Sequence, residues 1–346
     1  MHITLIIASV IITSAIQGVT IPILSTRYQS PYFLLIAIGL QLCFVYGAVL
    51  SVLLKGTPTD RLRFYTRLKI PVPREPKNII YVALFSYFEG ICLLYSSHPE
   101  RTPVFIQVIL IGSCIIPNVI MGRFFLNKQC RYDWRFIAPS LLLLAASIVL
   151  IIYPVFESGS KNSFWIIMFA GGCICLSGFN LMQERAMLVT KDHSLINKLI
   201  ILFYAGCIRL VLIVLSFWLE FLIGYHTEPM EPFISSFKLF IGPRFGEFLL
   251  LELFIAAYLM TCFMAISLNS ISSNYNMLLS TAVMPLVSAF FILFPKLNPG
   301  MKYSIWIVAL CLVLNCGCIF LWIKGERQVK TDPGEEQINK QPLVQN

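Results

Sequence analysis

The chain alternates long apolar runs with short polar breaks, and the runs are of similar length. Ten of them stand out, at 3–24, 32–54, 78–97, 103–126, 136–155, 163–187, 199–224, 247–269, 274–295 and 303–323. A helix rising 1.5 Å per residue needs about 20 apolar residues to cross a hydrocarbon core, so each run predicts one membrane-spanning helix. The breaks are short except at 55–77 and 225–246. After Lys324 the chain stays polar (GERQVKTDPGEEQINKQPLVQN), which predicts a disordered tail over 325–346.

Two of the runs resemble each other. In QVILIGSCIIPNVIMGRFFLNK (Gln107–Lys128), Ser113, Pro117 and Asn118 sit near the centre of an apolar span. In STAVMPLVSAFFILFPK (Ser280–Lys296), Pro285 aligns with Pro117, and Thr281 then falls on Ser113 and Lys296 on Lys128. Mid-span proline removes a backbone donor and weakens a helix, so helix breaks are expected at Pro117 and Pro285. The prolines lie 168 positions apart in a chain of 346, as an internal duplication would place them. Ten spans then divide into five-helix halves, 1–155 and 163–324. An odd number of spans per half makes the halves point oppositely through the membrane. The predicted fold is thus all-α and polytopic, with ten transmembrane helices as two inverted five-helix repeats. Paired interrupted helices in such repeats point to a transporter site.

Composition agrees with a bilayer. Apolar residues make up 58% of the chain and charged residues 12%, against about 25% charged in a soluble domain. Mean hydropathy is +0.79. The net charge of +9 therefore speaks to topology and not to nucleic acid. Lysines and arginines fall 18 on the side of loop 55–77 and the tail and 7 on the other, with Arg209 inside a span. The positive-inside rule then puts both termini in the cytosol. The first run is too long for a cleaved signal and is expected to remain as an anchor. Of 11 cysteines, ten fall inside predicted spans and only Cys130 in a loop. Cys173-x-Cys175 and Cys316-x-Cys318 lack a second pair in a polar setting, so no metal is expected. No catalytic or nucleotide-binding motif is present, so the chain reads as a non-enzyme without cofactor, and any transport would draw on a gradient.

Charge inside a membrane is costly and marks function. Glu89 and Arg209 each lie about 11 residues into a span, roughly 16 Å deep. They can pair directly, fixing two helices, or sit across a watery cavity. In the second case Glu89 is a proton-linked carboxylate and Arg209 its partner or a clamp for an anionic group. Gln17, Gln107, Asn118, Asn180, Ser113, Thr281 and Tyr204 offer neutral hydrogen bonds at similar depth. The competing reading of each is a helix–helix contact. Glu252 lies near a span end, within reach of water, and Glu220 and Glu247 are expected to be solvated. His98 and His226 fall on non-cytosolic loops, where an acidic compartment would titrate them.

Ten spans in two halves is also the plan of the drug/metabolite transporter superfamily. Arg101–Trp134 resembles the fourth span and following turn of its chloroquine-resistance-transporter-like family, and Leu176–Met187 (LSGFNLMQERAM) resembles the cytosolic end of that family's sixth span, with Glu184 as its charged residue. Loop 225–246 is cysteine-free, unlike that of the best-known member. The resemblance implies a secondary transporter of small organic solutes (amino-acid, peptide-like or cationic). It implies a vacuolar or lysosomal membrane, protons as coupling ion and alternating access. One rival is a nucleotide-sugar or phosphate-sugar antiporter of Golgi or endoplasmic reticulum, which calls for several inward-facing cations. Another is a non-transporting receptor or scaffold. Substrate identity and the choice between monomer and dimer stay open.

Overall fold

The computed structural model describes residues 3–55, 76–126, 134–157, 163–190, 192–222, 230–242, 245–297 and 305–330. These residues form helices and no strand: α1 (Ile3–Arg27), α2 (Pro31–Lys55), α3 (Pro76–Ser96), α4 (Val104–Gly112), α5 (Ile115–Leu126), α6 (Trp134–Glu157), α7 (Ser163–Thr190), α8 (Leu195–Leu215), α9 (Leu219–Leu222), α10 (Met230–Ile241), α11 (Phe245–Asn269), α12 (Ser273–Leu293) and α13 (Ile305–Lys330). Among them, eight segments are long and apolar enough to cross a membrane: α1, α2, α3, the α4–α5 segment, α7, α8, α11 and α12. The chain is a multi-pass helical membrane protein. The remaining two expected spans, 136–155 and 303–323, fall on α6 and α13. Their described apolar stretches are shorter, Arg135–Ala146 and Ala309–Trp322, and the two helices pack against each other.

Helix starts are set by local chemistry and by carboxylates reaching in from other helices. Proline opens α2 and α3, where its missing N–H costs nothing. The Ser194 hydroxyl caps α8 by accepting from the Asn197 N–H at 3.2 Å. At α2, Glu220 accepts from the Tyr32 N–H and the Ser30 hydroxyl, each at 3.1 Å. At α12, where Ser272 gives no side-chain cap, Glu184 of α7 accepts from the Ser273 N–H at 3.0 Å and its hydroxyl at 2.8 Å. Both acids are 1% exposed. Glu220 is therefore not solvated as expected, because free N–H groups at a helix start hold its carboxylate inside. Glu247 does reach the surface, and pairs with Arg27 at 3.6 Å.

The interior has two main apolar clusters. One joins α2, α3, α8 and α11 with the second half of α7; the other joins α4, α5, α6, α12 and α13 with the first half of α7. The most extensive helix pairs are α3 with α7, α6 with α13, α1 with α11, and α2 with α8.

The helices differ from the sequence expectations at four places. The fourth span does break, but at Ser113–Cys114, ahead of Pro117. Pro117 sits in the first turn of α5, where a missing donor is tolerated. The ninth span does not break: α12 runs unbroken through Pro285. The fixed φ of a proline ring is compatible with a helix, and Thr281, Val283, Met284 and Val287 around it are buried against neighbours that hold the helix together. The seventh span is shorter than expected, with α8 ending at Leu215. The long loop that follows contains α10, whose Phe233 and Phe240 rings pack on Phe33 of α2. Helix α13 extends to Lys330, into the expected tail. Residues 56–75, 331–346, Cys130 and His226 lie outside the described residues.

Candidate functional site

Between the apolar clusters lies a cavity of about 160 Å³. Every one of the eight membrane-length segments contributes to its wall. The wall is mostly apolar, with a few polar groups converging on it, which is the usual make-up of a small-molecule site.

Glu89 and Arg209 both line this cavity and both are nearly fully buried, at 7% and 2% exposure. They are not joined by an ion pair. Arg209 is held instead by neutral partners. Its guanidinium donates to the Ser86 hydroxyl of α3 at 3.1 Å and to the Tyr258 hydroxyl of α11, and lies 5.5 Å from the Tyr258 ring centre. Gly90 makes this approach possible, since a Cβ there would stand 2.7 Å from Arg209 Nη2. The Arg209 Nε–H and the Glu89 Oε2 are buried without a hydrogen-bond partner. Glu89 and Arg209 thus line one cavity, and each keeps a buried polar atom with bonding capacity in reserve.

Gln17 and Asn180 also line the cavity. The Gln17 amide donates to the Thr261 hydroxyl at 2.6 Å, and Thr261 donates on to Thr13 at 2.6 Å, tying α1 to α11. Asn180 Oδ1 accepts from Asn269 and Asn276, each at 2.7 Å. Asn269 also donates to Gln183 at 2.7 Å. This network joins α7 to the end of α11 and the start of α12.

The other sequence-predicted residues do not line the cavity. The Gln107 amide donates to the carbonyls of Ser97 and Thr102 at 2.6 and 2.7 Å, tying down the turn between α3 and α4. Asn118 donates to Ser273 and Asn274 at 3.1 and 2.8 Å. The Ser113 hydroxyl bonds back to the Leu110 carbonyl at 2.7 Å. Thr281 donates to the Gly112 carbonyl at 2.7 Å. Tyr204 is half-buried beside Phe203.

Sequence reasoning missed Tyr258, Thr261 and Asn276, which join Ser14 and Ser280 in the polar part of the wall. Asn276 was visible as an amide in the first turn of an apolar span. Tyr258 gave no signal, standing in a chain with 14 tyrosines and 27 phenylalanines. Among the described residues no group of three or more His, Cys, Asp or Glu is arranged to hold a metal.

No protein-family model and no curated protein matches the sequence. A solved crystal structure superposes with a TM-score of 0.52 at 17% identity, over 94% of this chain and 99% of that one. At that identity the likeness concerns the fold alone.

Proposed function

We propose that this chain is a secondary transporter of the drug/metabolite-transporter type. It moves small organic solutes of amino-acid, peptide-like or cationic character across an endomembrane, with protons as the coupling ion. The observation that carries the reading is the cavity into which Glu89 and Arg209 both open without being paired. A structural ion pair would have neutralised both groups. Left apart, Arg209 is available to an anionic group of the solute, and Glu89 to a proton or a cationic group. Gln17, Asn180 and Tyr258 add neutral contacts.

Helix packing supports the inverted-repeat part of the proposal, with α6 and α13 as the fifth and tenth spans. A two-fold relation that carries spans one to five onto six to ten turns the pair α3–α7 into the pair α11–α1. Both are among the most extensive contacts, and α2–α8 and α6–α13 map onto themselves. Alternating access then follows from rocking one half against the other around the cavity.

Arg209 also favours a second reading, an antiporter of nucleotide sugars or sugar phosphates. Against it, Arg209 is the one cation among the described residues that line the cavity, while a diphosphate calls for several. A transport assay separates the readings. The purified chain is placed in liposomes with an acidic interior and offered basic amino acids, short peptides, a cationic amphiphile and a nucleotide sugar. Proton-dependent flux of one of the first three is expected. Proton-independent exchange of the nucleotide sugar supports the antiporter, and no flux of any of them supports a receptor or scaffold.

A further inference from the structure

Where α3 begins and α5 and α7 end, a crevice of about 500 Å³ opens, separate from the central cavity. Lys77, Asn78 and Arg185 form its polar part, and Tyr81, Phe125 and Val189 much of its apolar wall. Among the described residues no carboxylate lines it. Neither Lys77 nor Arg185 is in an ion pair or hydrogen bond among the described residues.

Asn78 adds an independent observation. It is only 6% exposed, yet its side-chain amide has no hydrogen-bond partner among the described residues. Its amide keeps some exposure on the crevice, so an oxygen seated there can take the place of water as its partner. Asn78 also sits in the first turn of α3, where backbone N–H groups lack helical acceptors and the helix dipole favours an anion. Beside the crevice the surface is apolar and open: Ile80, Tyr81, Leu188 and Val189 are 44–49% exposed. Cations above an apolar wall, at the end of membrane-crossing helices, match the two halves of an acidic lipid.

We propose that this crevice binds the phosphate headgroup of an anionic phospholipid, with an acyl chain lying along Tyr81, Phe125 and Val189. Lys77 and Arg185 neutralise the phosphate, and Asn78 with the first turn of α3 donates to its oxygens. A free phosphate would use the cations but leave the apolar wall uncovered. The proposal needs only the membrane architecture and is independent of transport.

The test uses the full chain in neutral detergent, with phosphatidylglycerol, phosphatidylcholine and inorganic phosphate as probes. Native mass spectrometry reads binding, and thermal unfolding reads stabilisation. Phosphatidylglycerol is expected to bind and raise the unfolding temperature; the other two at equal concentration are not. Removing one cation, by Lys77→Gln, should weaken phosphatidylglycerol about fivefold, and Lys77→Gln with Arg185→Gln about 25-fold. Should the double variant fail to fold, the exposed Lys77 alone carries the test. Unchanged phosphatidylglycerol binding in these variants overturns the proposal. So does inorganic phosphate binding as tightly as the lipid, which would make this a phosphate site.

Discussion

The Thr281 hydroxyl donates to the Gly112 carbonyl at 2.7 Å, and Pro117 is the reason that carbonyl is open. Pro117 has no N–H, so the Ser113 carbonyl four residues back takes the Ile116 N–H instead, at 3.0 Å. That withdraws Ile116 from Gly112, its acceptor in an unbroken helix. Helix α12 fills the gap from outside, and Met284 lies where a side chain on Gly112 would be.

Thr281→Val keeps the shape and removes the donor. It should cost about 1–3 kcal/mol of stability by orphaning a buried carbonyl, with Thr281→Ser retaining most of the wild-type value. Thermal unfolding in detergent measures it. Pro117→Ala returns an N–H at position 117, so Thr281→Val should cost less in that background. Equal cost in both backgrounds would break the link between the two residues.

Asn180 is the hub of the network beneath the cavity. Asn180→Leu takes the acceptor from Asn269 and Asn276 and should lower stability by about 1–3 kcal/mol for each amide orphaned. Asn180→Gln keeps an amide acceptor without adding charge and should lose less. The same unfolding measurement compares them; equal losses would show that the hydrogen bonds are not what Asn180 supplies.

His98, in the turn between α3 and α4, gives a pH prediction. Burial pushes its pKa below the ordinary 6.5, with Arg101 adding to the push and Glu100 opposing it. Well above that pH the imidazole is neutral folded and unfolded, and contributes nothing. As pH falls through about 6.5 the unfolded chain takes up a proton that the folded one resists, so stability drops. His98→Gln should therefore lose less unfolding temperature than wild type between about pH 7.5 and about pH 5.5. Parallel curves would contradict this.

Eight of the ten expected spans were legible because apolar length is read directly from sequence, and Glu89 and Arg209 stood out because charge is rare at that depth. Asn180 and Gln17 were legible as polar atoms in apolar runs, and so were Gln107, Asn118 and Thr281. Sequence could not separate the two groups. Which amide faces a cavity and which ties a turn depends on helix rotation, set by contacts far away in the chain. Pro117 and Pro285 teach the same lesson: one follows a break and the other sits in an unbroken helix, because neighbours decide what a lost donor does. Glu220 was expected in water, and Glu184 was singled out only by its place at a span end, because the partners of both are distant in sequence. The N–H groups that hold them belong to helix starts 89 and 188 residues away.

The proposed role of Glu89 is to couple solute movement to protons from within the cavity. The most direct measurement compares wild type and Glu89→Gln in liposomes, for the first solute of the panel that moves. Uphill, proton-driven flux and downhill exchange of labelled solute are followed in parallel. The variant should lose the uphill flux and its pH dependence while keeping exchange, since Arg209 and the neutral contacts remain. Uphill flux at the wild-type rate in Glu89→Gln would contradict the account.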